Sequence, residues 1–201
     1  MKWQSMGVPR IHIVDLDGAA NGEPGNLEII ANLAQAVLVP IQVGGGIRRI
    51  ETVERLLKMG VDRVILGTSA IEDPQFVKEA CRCFPDSIIV GIDTRDGWIT
   101  TWGWQKETRI RGVELAKSMA KLGVRRFIHT DVIRGSTLTE PNFSAISELI
   151  NETGLSVIAA GGVSSLNHIK MLRQLGAEGV IIGKALYTGD INLKQALEAA
   201  R

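Results

Sequence analysis

The chain has 201 residues, 45% of them hydrophobic and 22% charged, the balance of a globular domain long enough to bury its own core. Its 23 basic residues are offset by 22 acidic ones, which gives no support for a nucleic-acid or membrane-surface partner. No apolar run approaches the roughly 18 residues that a membrane-spanning helix needs, and Met1-Lys2-Trp3-Gln4-Ser5-Met6 carries no apolar signal core, so no membrane role and a cytoplasmic location are expected.

Short β-branched apolar runs then alternate with amphipathic stretches. Residues 1–6 read as the tail of a helix. Residues 10–16 form the first strand-like run, and residues 26–36 follow with Leu27, Ile30, Leu33 and Ala34 at helical spacing. Residues 40–43 are the second strand; residues 51–59 are a helix that stops at Gly60. Residues 63–66 are the third strand, after which Asp73 and Pro74 open a helix through Phe76, Val77 and Ala80. Cys81 and Cys83 lie in that helix, too close in sequence to bridge each other, and read as free thiols. His12, His129 and His168 are scattered, so no metal site is expected. Residues 87–92 are the fourth strand, followed by a long loop with Trp98, Trp102 and Trp104. The rest alternates: helix 111–122, strand 126–130, helix 143–150, strand 156–159, helix 166–175 and strand 179–182. Strands apolar on both faces are buried parallel strands.

The chain also repeats itself. A shift of 116 positions carries Gly7 onto Gly123, Arg10 onto Arg126, Asp15 onto Asp131, Asn26 onto Asn142, Gly45 and Gly46 onto Gly161 and Gly162, Gly60 onto Gly176, and Gly67 onto Gly183. No gap is needed over residues 6–71, which marks two copies of a large unit. Repeated βα units with a twofold repeat predict an α/β fold, a (β/α)8 TIM barrel of two half-barrels, as one domain over residues 1–201. Only seven βα units are present. Residues 86–121 precede the second copy, and about 31 of them have no counterpart before the first. A barrel lacking its first βα unit is therefore expected. Its strands 10–14 and 179–182 would be edges, which invite self-association.

In both copies a strand ends in a double glycine, Val43-Gly44-Gly45-Gly46-Ile47-Arg48 and Ala160-Gly161-Gly162-Val163. In both, the next strand ends in another, Ile65-Leu66-Gly67-Thr68 and Ile181-Ile182-Gly183-Lys184. Glycine lets the backbone approach a ligand closely, and backbone N–H groups at a helix start attract anions. Two such turns predict a small-molecule substrate with a phosphate at each end. The alternative is that these glycines only turn strand into helix.

Asp93 ends an apolar strand at the end where barrel enzymes keep catalytic groups, and partial burial can tune it for general acid work. Thr130 is a hydroxyl at an equivalent level. Asp15 and Asp131, related by the repeat, are catalytic candidates or structural in both halves. The tryptophan loop reads as a lid that stacks on a planar ring.

Val14-Asp15-Leu16-Asp17-Gly18-Ala19, Gln42-Val43-Gly44-Gly45-Gly46-Ile47-Arg48, Ile92-Asp93-Thr94-Arg95-Asp96-Gly97, His129-Thr130-Asp131, Ala160-Gly161-Gly162-Val163 and Ile182-Gly183-Lys184-Ala185-Leu186 together resemble one family. It is the histidine-biosynthesis isomerase acting on phosphoribosylformimino-aminoimidazole carboxamide ribotide. The resemblance covers essentially the whole chain. It implies a (β/α)8 barrel, a bis-phosphorylated substrate, an Amadori rearrangement of an aminoaldose to an aminoketose, and no metal or organic cofactor. By resemblance Asp93 matches the general acid, Thr130 a helper hydroxyl and Trp104 a tryptophan near the imidazole ring. Gly45, Gly46, Gly67 and Thr68 match one phosphate site and Gly161, Gly162, Gly183 and Lys184 the other; Arg48 matches a substrate-binding arginine of the third loop. The chain departs from the family at Arg134-Gly135-Ser136-Thr137, where an aspartate usually follows the arginine. The family's general base lies on its first strand, so residues 1–201 alone are expected to turn over poorly. A cyclase-like barrel of the same pathway and a non-catalytic phosphate-binding remnant, or a subunit completed by another chain, are the alternatives.

Overall fold

The computed structural model describes residues 2–137 and 139–201. They fall into two compact units. The first comprises Met1–Val90, Thr101–Lys106 and Met119–Arg125; the second comprises Gly91–Thr100, Glu107–Ser118 and Arg126–Arg201.

The first unit runs α1 (Lys2–Ser5), β1 (Ile11–Val14), α2 (Leu16–Asn21), α3 (Leu27–Ala36), β2 (Ile41–Gly44), α4 (Ile50–Lys58), β3 (Arg63–Leu66), α5 (Ser69–Glu72), α6 (Pro74–Cys83) and the start of β4 (Ile88–Arg95). β1 to β4 pair in parallel, in sequence order. Ile41, Val43, Val64, Leu66, Ile88, Ile89 and Val90 are buried on the sheet, and Ile30, Val53, Leu56 and Val77 are buried on the helices. Each such side chain contributes roughly 1.5–3 kcal/mol by leaving water. Asp73 caps α6 by accepting from the Phe76 N–H.

The second unit takes up β4 from Gly91, then most of β5 (Trp98–Thr101), β6 (Lys106–Arg111) and α7 (Gly112–Lys121). It continues with β7 (Arg126–Asp131), α8 (Val132–Thr137), α9 (Phe143–Thr153), β8 (Ser156–Ala160), α10 (Leu166–Gln174), β9 (Gly179–Ile181), α11 (Lys184–Thr188) and α12 (Leu193–Ala199). β7, β8 and β9 pair in parallel over a core that includes Phe127, Ile146, Leu149, Val157, Ile169 and Leu172.

The repeat in sequence is a repeat in register. Ile11 pairs with Ile41 and Val43 with Val64; 116 positions on, Phe127 pairs with Val157 and Ala159 with Val180. At the strand starts Arg10 pairs with Asp62, and its counterpart Arg126 pairs with Glu178 at 2.5 Å. The turns after β2 and β8 match as well. At Gly46 (φ 70°) an added Cβ would lie 2.5 Å from the Gly18 carbonyl oxygen, and at Gly162 (φ 75°) 2.2 Å from that of Glu140.

Two features differ from the expectation. β4 does not stop at Ile92 but runs to Arg95, because Thr94 and Arg95 pair antiparallel with Ile99 and Trp98 of β5. The loop expected after it is a β-hairpin, with Asp96 (φ 52°) and Gly97 (φ 81°) as its two-residue turn. The short helices α2, α5, α8, α11 and α12 have no counterpart in the sequence pattern. Four to seven residues are too few for a 3.6-residue period to register.

Some strand side chains are polar and face the interior. His129 on β7 is 1% exposed, and burial lowers its pKa from 6.5 to about 4. Burial does the same to His12 on β1, whose Nδ1 lies 3.0 Å from Gln42 Nε2. Cys81 and Cys83 are free; burial pushes the Cys81 thiol up to about 11.

Two predictions follow from this packing. Gly162→Ala should cost more than about 2 kcal/mol through strain and clash. Gly176→Ala, at φ 87° but with nothing within 4 Å, should cost only the left-handed penalty of about 1–2 kcal/mol. Urea midpoints at constant m-value measure both, and equal losses would refute the contact argument. The second concerns pH. Between pH 6.5 and about 4 the unfolded chain binds a proton that folded His129 does not, so stability falls as pH falls through this window. The loss should be on the order of 3 kcal/mol, and His129→Phe should remove that part of the slope.

Candidate functional site

In the first unit, the C-terminal ends of β1, β2 and β3 carry the candidate residues. Asp15 follows β1 and is 3% exposed. Its carboxylate accepts from the N–H groups of Gly18 (2.9 Å), Gly25 (2.7 Å) and Asn26 (2.9 Å), and from Asn26 Nδ2 (2.8 Å). Burial alone would raise its pKa, but these donors hold it below the ordinary carboxylate value. Its oxygens are occupied by the protein, so Asp15 is structural.

Gly45 and Gly46 pack on this turn, and an added Cβ at Gly45 would lie 2.2 Å from the Asp15 carbonyl oxygen. Their glycine identity is explained by backbone packing. Gly67 is different. It is exposed, nothing lies within 4 Å of its missing Cβ, and its φ is not positive. Because Gly44 pairs with Ile65, Gly67 comes to the same end of the sheet as Gly45.

Thr68 and Arg48 sit there too, and both meet Trp102. Thr68 Oγ1 accepts from the Trp102 backbone N–H at 3.0 Å. The Arg48 guanidinium lies 3.9 Å from the Trp102 ring centroid and 3.3 Å from the Glu72 carboxylate, and Glu72 also accepts from Trp102 Nε1 at 2.8 Å. Lys106 Nζ is 4.6 Å from the same ring. Trp104, which the resemblance singled out, is 46% exposed at φ 71°. Glu72 is the residue that sequence reading passed over, and Trp102 was legible only as one of the three tryptophans of the loop.

In the second unit, Asp93 lies within β4 and Thr130 on β7, both half-buried. The Asp93 carbonyl accepts from Thr100 Oγ1 at 3.2 Å. Next to them, Thr94 Oγ1 and His129 Nε2 lie 3.1 Å apart. Asp131 repeats Asp15. It is 5% exposed and accepts from the N–H groups of Ile133 (3.2 Å) and Arg134 (3.1 Å) and from Asn142 Nδ2 (2.9 Å). Arg134 Nη1 donates to Glu140 Oε1 at 2.9 Å. The segment that departs from the family is helical, within α8; the side chains of Ser136 and Thr137 lie outside the described residues.

Gly161 and Gly162 pack against Asp131 and Glu140 as Gly45 and Gly46 pack on their own turn. Gly183 is exposed, with nothing within 4 Å of its missing Cβ, and Lys184 beside it is exposed as well. Ala160 pairs with Ile181, so Gly183 comes to the same end of the sheet as Gly161. Each unit thus has one turn closed by its own packing and a neighbouring one open to solvent. Among the described residues no cluster of three or more histidine, cysteine or acidic side chains could hold a metal. None of their helices is long and apolar enough to cross a membrane.

The chain is similar to known proteins over nearly its whole length. Residues 1–192 match the family described as "Histidine biosynthesis protein". A relative from Dehalococcoides mccartyi (strain CBDB1) is 58% identical over 198 residues, 98% of this chain and 81% of the relative. One from Chloroflexus aggregans is 48% identical over 200 residues, 100% of this chain and 83% of the relative. One from Thermoanaerobacter pseudethanolicus is 45% identical over 201 residues, 100% of this chain and 85% of the relative. All three are named as the 1-(5-phosphoribosyl)-5-(5-phosphoribosylamino)methylideneamino imidazole-4-carboxamide isomerase. With strand–helix units of the (β/α)8 barrel class and a match over nearly its whole length, the chain belongs to the histidine biosynthesis protein family.

Proposed function

We propose that the chain is an aldose–ketose isomerase of histidine biosynthesis, acting on the bis-phosphorylated imidazole carboxamide ribotide for which its relatives are named. It is an enzyme of the isomerase class. The observation that carries the reading is the open turn found once in each unit, at Gly67 and again at Gly183. Both lie at the C-terminal ends of parallel strands, where barrel enzymes bind phosphate. Gly67 with Thr68 and Arg48 would take one phosphate, and Gly183 with Lys184 the other. Gly45, Gly46, Gly161 and Gly162 support these turns from the strand before.

An Amadori rearrangement is proton transfer throughout. The ribose ring opens when its oxygen gains a proton from an acid, and a base then takes a carbon-bound proton to give the enol form of the aminoketose; by resemblance that base belongs to the family's first strand. Asp93, half-buried on β4, supplies the ring-opening proton, and Thr130 steadies the developing charge with its hydroxyl. Such a positioned acid contributes about 10²–10⁴-fold. Trp104 offers a flat apolar surface to the imidazole ring.

The test is turnover of that ribotide by the protein at its full natural length. Asp93→Asn should lower kcat by about 10²–10⁴-fold with little change in KM. Gly67→Asp and Gly183→Asp put a negative charge where nothing crowds a side chain. Each should raise KM at least about tenfold, and Gly67→Asp should leave the melting temperature within about 2 °C. Unchanged KM in both glycine variants would sink the phosphate assignment, and full activity in Asp93→Asn would sink the acid.

A further inference from the structure

Side chains alternate between the two faces of a strand, so sequence neighbours point opposite ways. Asp93 and Thr94 are such neighbours on β4, and His129 and Thr130 on β7. Thr94 and His129 are 2% and 1% exposed, and 3.1 Å separates Thr94 Oγ1 from His129 Nε2. The acid and the helper hydroxyl of the proposed reaction therefore stand back to back with a buried hydrogen-bonded pair. We infer that the Thr94–His129 hydrogen bond is a positioning device for Asp93 and Thr130. It fixes how the two strands sit at the level from which the acid and the hydroxyl emerge. The inference rests on the isomerase reading of those two residues.

Thr94 is held from three sides. Its backbone pairs with Ile99 of the hairpin. A Cβ at Gly112, the first residue of α7, would lie 3.1 Å from the Thr94 methyl, so the start of α7 packs closely on that side chain. A β-branched side chain also has few χ1 choices. His129 is equally defined. Burial keeps the ring neutral, with a pKa of about 4, so it carries a single N–H. Nδ1 is buried and has no partner among the described residues. A buried N–H without an acceptor is rarer and costlier than an unused lone pair. The proton therefore sits on Nε2 and is donated to Thr94 Oγ1. A misplacement of about 1 Å in a reacting group can cost about 10²-fold in rate, which is the scale on which such a brace acts.

Steady-state kinetics of the full-length protein test this, with Thr94→Val, Thr94→Ser, His129→Phe and the double variant Thr94→Val/His129→Phe. Thr94→Val and His129→Phe should each lower kcat about 10- to 100-fold with KM within about twofold. The double variant should be no worse than the poorer single one, because both remove the same bond. Thr94→Ser, which keeps the hydroxyl, should stay within about threefold of the parent. Nitrogen-15 NMR should show His129 Nε2 protonated and Nδ1 bare whether or not substrate turns over. If His129→Phe does not fold, the shape-preserving Thr94→Val carries the test. Unchanged kcat in the Val and Phe variants, losses confined to KM, a serine variant as poor as the valine one, or a protonated Nδ1 would each overturn the inference. A parent protein without turnover would sink the isomerase reading and this inference together; an active parent with unimpaired variants would sink the inference alone.

Discussion

Burial of a carboxyl group is the constraint on which each unit is built. A charge taken out of water is tolerated only when hydrogen bonds replace the water. Asp15 meets this condition with four donors drawn from residues 18–26. The loop must wrap around the carboxylate to supply them. That wrapping sets the start of α2, the path through Gly25, and the place where α3 begins. Asn26, the residue before α3, makes no side-chain cap bond to its own helix; its amide is committed to Asp15 and to Asp17 at 2.9 Å. The turn after β2 then packs directly on this loop, with Gly45 against the Asp15 carbonyl. One carboxylate thus fixes two successive turns.

The second unit reaches the same end with different donors. Asp131 receives two backbone N–H groups and the Asn142 amide, and the Arg134 Nε lies 3.6 Å away. A guanidinium here stands where the first unit uses the N–H groups of Gly25 and Asn26. Asn142 also differs from Asn26, because its Oδ1 caps α9 by accepting from Ala145. The register of the strands is nevertheless the same in both units. The geometry follows from placing a buried aspartate at the strand end and an asparagine eleven residues on; how the remaining lone pairs are filled is free to vary.

This explains what could be read from the residues and what could not. Parallel strands buried on both faces appear as runs such as Ile88-Ile89-Val90, so their positions were legible. The repeat then gave the equivalent turns. β6 was not legible, because Lys106-Glu107-Thr108-Arg109-Ile110-Arg111 has one aliphatic residue and no apolar face. The Asp96-Gly97 pair was the available signal, since both central residues of such a turn need positive φ. The glycines were ambiguous for a physical reason. A glycine needed for close backbone packing and one beside an open ligand site have the same side chain. Only the surroundings separate Gly45 and Gly161 from Gly67 and Gly183.

The Trp102 turn shows how a candidate ligand-binding residue is held by its own chain. Trp102, Gly103 and Trp104 all have positive φ, and for a residue with a Cβ this costs roughly 1–2 kcal/mol. The compensation is local. The Trp102 N–H and Nε1 donate to Thr68 and Glu72, and two cations lie over its ring. Each cation–π contact contributes about 0.5–1 kcal/mol or more as water is excluded. The strain at Trp102 is therefore offset in part by Nε1 and ring contacts that a serine or leucine at position 102 could not make. Those same contacts orient Arg48, because its planar guanidinium must stack on the indole while meeting Glu72 at its edge. Lysine at position 48 would keep the charge but lose the plane that satisfies both partners at once. The identity of Arg48 is thus set by the indole and the carboxylate of its own chain as well as by any anion it receives.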